Sequence, residues 1–492
     1  MIMLQENKVD IVFINPGDRK QIYQNLGQDI AAVEPPFWIA ALAAYLRNNG
    51  ATVAVIDANA ENISPEETAV KVKALKPLVA AVIVYGSQPS ASTQNMTIAG
   101  KICEAIKAVG IKVAIGGLHP TALPRLTMEQ SVADFLIEGE GPYTLKALLQ
   151  ALKGSGGFVS VPGLWYRNGG DIKNNERAPL MADLDACLPV GAWDLLPMEK
   201  YRAHNWHCFG HINERMPYGV IYTSLGCPFN CVFCCINALF GKPGIRYRSP
   251  KLVVDEIELL VKKYGVKNIK VADELFVLDE KHYMTIAEMI IARGLKVNIW
   301  AYARVDTVKQ QNLKRMKEAG INWLALGIES ANSKVRDGAS KQMRVTDIKK
   351  VVQEIQAAGI YVIGNYIFGL PDDDVETMQE TLDMALDLNC EFGNFYYAMA
   401  YPGSKLYNIA IQEKWTLPDT WHGFSQHSYN ARPLPTKHIG AREVLGFRDE
   451  AFHKYYSHGP YLDSIEKKFG SEVRKHIETM AKTRLKRELL EK

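Results

Sequence analysis

Several common features are missing from this chain, and each absence narrows what the protein does. The N-terminus, MIMLQENKVDIVFINPGD, has no basic region followed by a long apolar run and a small-residue cleavage site, so secretion is not expected. No stretch of about 18 or more uninterrupted apolar residues occurs, so no membrane span is expected. Charge of one sign is missing too. Lys and Arg number 57 against 54 Asp and Glu, and a net +3 is too small to argue for nucleic acid or an anionic membrane as partner. Cysteine is scarce, at eight residues. Without an export signal those thiols suit metal binding or catalysis better than a disulfide framework, and the expected compartment is a reducing cytoplasm.

The remaining composition, 47% hydrophobic and 23% charged, is that of a soluble globular protein, and 492 residues imply two or three domains. Residues 1–157 alternate short β-branched runs with helical patterns. VDIVFINP (9–16), TVAVIDA (52–58), VAAVIVYGS (79–87), KVAIGG (112–117) and DFLIEGEG (134–141) read as strands buried on both faces. The alternation predicts a five-stranded, flavodoxin-like doubly wound parallel sheet, an α/β fold that binds ligands at the carboxyl ends of its strands. The loops expected there are NPGDR (15–19), YGSQPS (85–90), GGLHPTALP (116–124) and EGEGP (138–142). Their small residues let a backbone approach a bulky ligand closely. Residues 158–215 read as a hairpin around NGG followed by a connector. Six further strand–helix units over 216–420 predict a partial (β/α)6 barrel, whose site belongs at the carboxyl-end mouth. Residues 421–492 read as mostly helical.

Four of the eight cysteines lie within positions 227–235, in GCPFNCVFCC. Cys227 closes the first barrel strand, and Cys227, Cys231 and Cys234 follow a C-x3-C-x2-C spacing. Three thiolates on one short loop can converge on a metal centre. Zinc usually takes a fourth protein ligand, and no second C-x2-C or H-x3-H pair is placed to supply it; the remaining candidates are His282 and Cys208, if the chain folds back. A [4Fe–4S] cluster held by three cysteines keeps one iron open to an outside ligand. Cys235 reads as a packing residue.

CPFNCVFC resembles the signature of radical S-adenosylmethionine (SAM) enzymes, and the resemblance runs from about residue 218 to 410. It implies that Cys227, Cys231 and Cys234 hold a [4Fe–4S] cluster whose open iron is chelated by SAM. VADELFVLD (271–279) resembles the acidic motif that holds the SAM amino group, with Glu274 in that role and Asp273 beside it. GIES (327–330) resembles the stretch contacting ribose and methionine, which implicates Gly327, Glu329 and Ser330. Arg304 and Phe233 complete the implied SAM contacts. GLPDDD (369–374) and YPGS (401–404) fall where the family carries comparable turns.

With a flavodoxin-like domain before the barrel, the chain resembles the cobalamin (B12)-binding branch of that family. GGLHPTALP is similar to its GG-x-H-x-T-x-x-P element, and IEGEGPYTLKALL to its G-E-G-E-x-T-x-x-x-L element, with Gly141-Pro142 and Arg125 as departures. The implied cobalamin contacts are Pro16, Ser87, Gln88, Gly116, Gly117, His119, Pro120, Glu138, Gly139 and Glu140. The D-x-H-x-x-G motif that gives cobalt a histidine is absent, so His119 is expected at the cofactor's periphery. The resemblance implies a methyltransferase: a 5′-deoxyadenosyl radical activates an unreactive carbon or phosphorus, and methylcobalamin donates the methyl. The alternative is a B12-dependent radical SAM enzyme catalysing ring cyclisation, oxidation or rearrangement without methyl transfer. Implied partners are a small-molecule substrate and an electron donor such as flavodoxin or ferredoxin. Methylthio transfer to RNA would require three more N-terminal cysteines, and only Cys103 lies in the first 150 residues.

Overall fold

β-Branched residues form strands wherever both faces are covered, and the N-terminal runs do this. In the computed structural model, which describes residues 9–24, 31–86, 90–341 and 347–491, they become β1 (Ile11–Asn15), β2 (Val53–Asp57), β3 (Val79–Val84), β4 (Val113–Gly117) and β5 (Phe135–Ile137). All pair in parallel, in the order β2-β1-β3-β4-β5. Every residue of β3 and β4 is buried. Helices Phe37–Asn48, Pro65–Leu75, Met96–Ala108 and Pro142–Leu152 connect or flank the strands. Ser64 opens the second of these through a capping box with Glu67, which satisfies two backbone N–H groups that the first turn leaves without partners.

The NGG hairpin is present as β6 (Leu164–Asn168) and β7 (Asp171–Asn174). β6 pairs antiparallel with β5, so the hairpin enlarges the sheet to seven strands. Trp165 and Leu164 are buried in this seam, so apolar burial draws the hairpin onto the sheet.

The second set of strands is β8 (Tyr218–Ile221), β11 (Asn268–Val271), β12 (Asn298–Arg304), β13 (Ile321–Glu329), β14 (Tyr361–Phe368) and β15 (Phe392–Tyr397). They form a six-stranded parallel sheet in sequence order, β8 to β15. Between β8 and β11, β9 (Ser224–Leu225) and β10 (Arg246–Tyr247) make a two-stranded antiparallel ribbon. Residues 201–215 close the amino end of the barrel. Trp206 packs against Trp300, Trp323 and Phe392 at ring-centroid distances of 5.2, 5.6 and 5.7 Å. His207 Nε2 and Asn298 O lie 3.0 Å apart, and Asn298 Nδ2 donates back to His207 O at 2.9 Å. Above this floor, the Lys270 ammonium donates to both carboxylate oxygens of Glu34, at 3.0 and 3.2 Å.

The C-terminal helices Ala441–Tyr456, Gly459–Phe469 and Ser471–Lys482 belong to the same body as the barrel. Arg448 Nε donates to Phe395 O at 2.7 Å, and the Phe469 ring stacks on Trp323 at 6.1 Å. Among the described residues, the chain divides into two compact units. One comprises residues up to Arg19, Pro35–Lys200 and Cys235–Pro243; the other comprises Lys20–Glu34, Tyr201–Cys234 and Gly244 onward. No helix of the described residues is long and apolar enough to cross a membrane.

Candidate active site

Parallel pairing puts the carboxyl ends of all six barrel strands at one mouth, and the loop after β9 crosses it. Gly226 begins that loop at φ +91°, a left-handed turn that glycine adopts without steric cost. Gly244 N donates to Cys227 O at 3.0 Å, Val232 N to Ala339 O at 3.1 Å, and Leu406 N to Val232 O at 2.8 Å. Cys234 N donates to Cys231 O at 3.1 Å, which folds the last three residues into a turn. The loop is therefore anchored at both ends and in the middle. Phe233 packs against the cluster of Val335, Leu370 and Leu406, while Cys234 is exposed.

No disulfide links any of the eight cysteines. Among the described residues no three His, Cys, Asp or Glu side chains converge as ligands of a single metal ion. A cubane spreads its three thiolates over separate irons, so a cluster does not need such convergence. The fourth ligands considered for zinc are engaged elsewhere. His282 Nε2 lies 3.1 Å from Thr223 Oγ1 and its ring 4.6 Å from Tyr247, while Cys208 Sγ contacts Glu214 O at 3.8 Å. Cys235 is buried, as expected for packing.

The adjacent acids after β11 have separate roles. Asp273 is fully buried and accepts from Thr223 N at 2.6 Å, Thr223 Oγ1 at 2.5 Å and Ser224 Oγ at 2.6 Å. Its oxygens are already used in holding β8 to β9. Glu274 is different: its Oε2 is buried and has no hydrogen-bond partner. Burial pushes this carboxyl up to about 8, with Asp273 adding to the rise and backbone hydrogen bonding opposing it. Its charge also acts on Cys227. An orphaned buried carboxylate beside Cys227 suits a cationic ligand group such as an amine.

The GIES stretch differs from expectation. The β13–β14 register shifts between Gly327 and Glu329, and Glu329 has φ +64°, left-handed without being glycine. A bulge of this kind re-aims a side chain. Here it directs Glu329 to Lys341, whose Nζ donates to Oε1 at 2.7 Å. Gly327 makes room: a Cβ there would stand 2.6 Å from Glu329 Oε1 and 2.7 Å from Lys341 Nζ. Glu329 thus pairs with a lysine inside the protein. Ser330 Oγ lies 3.2 Å from Thr381 Oγ1 and accepts from Asn332 N, and its carbonyl accepts from Arg336, so it shapes the loop. Arg304 is bidentate to Asp306 at 3.0 and 3.1 Å and lies 3.9 Å over the Phe229 ring. It braces the cysteine loop instead of presenting a free guanidinium. Burial pushes the Cys227 and Cys231 thiols up, and the charge of Lys341 opposes this at both.

In the other unit, the sheet order reverses between β1 and β3, where doubly wound sheets bind ligands. Pro16 and Gly17 follow β1; a Cβ on Gly17 would overlap Asn59 Oδ1 at 2.3 Å. After β3, the ring of Tyr85 stacks on buried Trp38 at 4.6 Å, 7° from parallel, and stays half-buried itself. Ser87 and Gln88 lie outside the described residues. Gly117 has φ +131°, and a Cβ would stand 2.2 Å from Val84 O, so only glycine fits. Gly116 faces Ile137, and Pro120 is buried in the turn after β4.

His119 is buried, its N donates to Ser92 Oγ at 3.0 Å, and Nδ1 lies 3.1 Å from Thr93 Oγ1. Burial pushes it down to about 3, so it is a neutral core imidazole. Glu138 accepts from Trp165 Nε1 at 2.8 Å, and Glu140 accepts from Met181 N at 2.7 Å. Gly139, at φ +87°, donates to Thr121 Oγ1 at 3.0 Å. These acids tie the loop to its own unit; they are not free donors or acceptors for a ligand. The edge that remains is small, apolar and aromatic, which fits a large, flat ligand held without a histidine.

Sequence reasoning missed Lys341, Tyr85, Phe229 and the Thr223–Ser224 pair. Lys341 lies 12 positions past Glu329, beyond helix Ser333–Gly338, and no spacing rule connects the two. Thr223 and Ser224 immediately precede Leu225-Gly226-Cys227, so their place beside the cysteine motif was the available signal.

Comparison with known proteins agrees with this geometry. Residues 221–385 match the Radical SAM superfamily and residues 25–149 match the B12 binding domain. The chain is 30% identical over 430 residues to an uncharacterized methyltransferase, PH0819, of Pyrococcus horikoshii, covering 87% of this chain and 89% of that protein. It is also 30% identical to the anaerobic magnesium-protoporphyrin IX monomethyl ester cyclase of Cereibacter sphaeroides, over 81% of this chain and 63% of that one. The fold resembles the radical SAM methyltransferase TsrM of Kitasatospora setae, solved with cobalamin and a [4Fe-4S] cluster bound. That match has a TM-score of 0.66 and 18% identity, covering 82% of this chain and 75% of that one.

Proposed function

The chain belongs to the B12-binding branch of the radical SAM family, and on that premise we propose that it is a cobalamin-dependent methyltransferase acting on an unreactive carbon or phosphorus of a small molecule. Cys227, Cys231 and Cys234 are the thiolates that hold a [4Fe–4S] cluster, and Glu274 takes the amino group of SAM. When bound, the cluster supplies the electron that opens a C–S bond of SAM, and cobalamin carries the methyl group. The observation that carries the reading is the Glu274 carboxylate, half of it without a partner at the barrel mouth beside Cys227.

The protein's own contribution is placement. Asp273 fixes the strand that leads into the cysteine loop, and Arg304 supports the loop through Phe229. Gly17, Tyr85 and Gly117 would form the edge that receives cobalamin, while His119 is buried in the core. The electron donor is a small redox protein such as flavodoxin or ferredoxin, and eight cysteines without a disulfide suit a reducing cytoplasm. Cyclisation without methyl transfer is the second reading, favoured by the relative named as a ring cyclase.

Anaerobic reconstitution with iron, sulfide and methylcobalamin tests this directly. About four irons per chain and a retained cobalamin band are expected, and replacing Cys227, Cys231 and Cys234 by Ala should remove the iron alone. Iron without retained cobalamin would sink the methyl-transfer reading.

A further inference from the structure

The most unusual local construction in the barrel surrounds a cation that the proposed chemistry does not use. Lys341 is 7% exposed and Glu329 6%, and they meet at 2.7 Å. Burying an ion pair stabilises a fold little, because desolvation offsets the attraction. This chain nevertheless uses three irregularities to build one. It breaks the β13–β14 register, holds a glutamate in the strained left-handed region, and leaves out a Cβ at Gly327. What the arrangement achieves is a fixed charge near the thiols: Val232, next to Cys231, donates at 3.1 Å to the carbonyl of Ala339, two residues before Lys341, and Lys341 and Glu329 act on Cys231 in opposite senses. Arg304 also acts on Cys231, but its guanidinium is bidentate to Asp306, which offsets its charge.

We propose that the Lys341–Glu329 pair sets the reduction potential of the cluster at Cys231, an inference that rests on reading Cys227, Cys231 and Cys234 as its ligands. Reduction adds one negative charge to the cluster. A buried ammonium beside one ligand favours the reduced form, and the carboxylate partner tempers that effect. In a low-dielectric interior both charges act strongly. Removing either partner therefore moves the potential in opposite directions, which a merely structural role for the pair would not do.

The test is an anaerobic redox titration of the reconstituted full-length protein, without SAM, with dithionite as reductant and the reduced cluster followed by electron paramagnetic resonance. K341M should lower the midpoint and E329Q should raise it. Each should change the reduced-to-oxidised ratio at fixed poise about tenfold, equivalent to about 59 mV for one electron. K341R, which keeps the charge, should stay at the wild-type midpoint. Shifts of the same sign in K341M and E329Q, or no shift at wild-type iron content, would overturn the proposal. Should K341M fail to hold iron, E329Q decides: an upward shift supports the pair's role, and an unchanged or lower midpoint overturns it. A wild-type protein that binds no iron would remove the cluster assignment itself, and the proposal with it.

Discussion

Asp273 and Glu274 are chemically similar neighbours with opposite consequences. Asp273 satisfies three donors in the interior. Hydrogen bonds to a charged group contribute about 1.5–3 kcal/mol each, and Asp273→Asn keeps only part of the set. Its unfolding free energy should fall by about 3 kcal/mol in urea titrations. Glu274 behaves in the opposite way. Its carboxyl ionises at about 8 in the folded protein against 4.5 ordinarily. Between these values the folded state holds the extra proton, so this group makes stability fall as pH rises, by up to about 1.4 kcal/mol per pH unit. Glu274→Gln should remove that slope in the cofactor-free protein. Its stability advantage over wild type should grow from about pH 5 to about pH 8 and then level off, as the ionisation curve requires. A constant difference across that range would show that Glu274 is not held neutral. No sequence rule separates these two acids. Both lie in the loop after β11, and which of them meets Thr223 depends on how β11 pairs with β8, which a single sequence does not show.

The elements were largely legible, because period-2 apolar runs and helical repeats survive in a single sequence. The six barrel strands, the parallel N-terminal sheet and the NGG hairpin all follow from pattern. The segment 201–215 had no period to read, because its side chains are specified by distant partners. Trp206 meets rings on three different strands, and nothing within a few residues announces this. Truncation there leaves a large cavity. Trp206→Ala should cost about 3–5 kcal/mol, measured as a fall in the denaturation midpoint of the iron-loaded protein. The bulge at Gly327–Glu329 was hidden for a similar reason: GIES reads as a strand end, and its left-handed glutamate appears only once Lys341 is in place.

At the scale of the molecule, two compact units imply more than one cooperative transition. Scanning calorimetry should resolve two. Trp206→Ala should lower the one that belongs to the barrel unit. Gly117→Ala, which drives a methyl group against Val84 O, should lower the other. A single transition shifted equally by both variants would mean that the units unfold as one.

The order in which the chain visits these units has a consequence for how the protein is made. Helix Asn237–Phe240 packs on helix Leu118–Ala122, and the guanidinium of Arg177 donates to the carbonyls of Ala238 and Leu239. The N-terminal unit thus borrows its last piece from residues that follow Cys234 directly. A ribosome delivers domains from the N-terminus, and most fold as they emerge. This one must wait until Cys227, Cys231 and Cys234 have been synthesised. Its completion and the arrival of the thiols are therefore a single event in the life of the nascent chain.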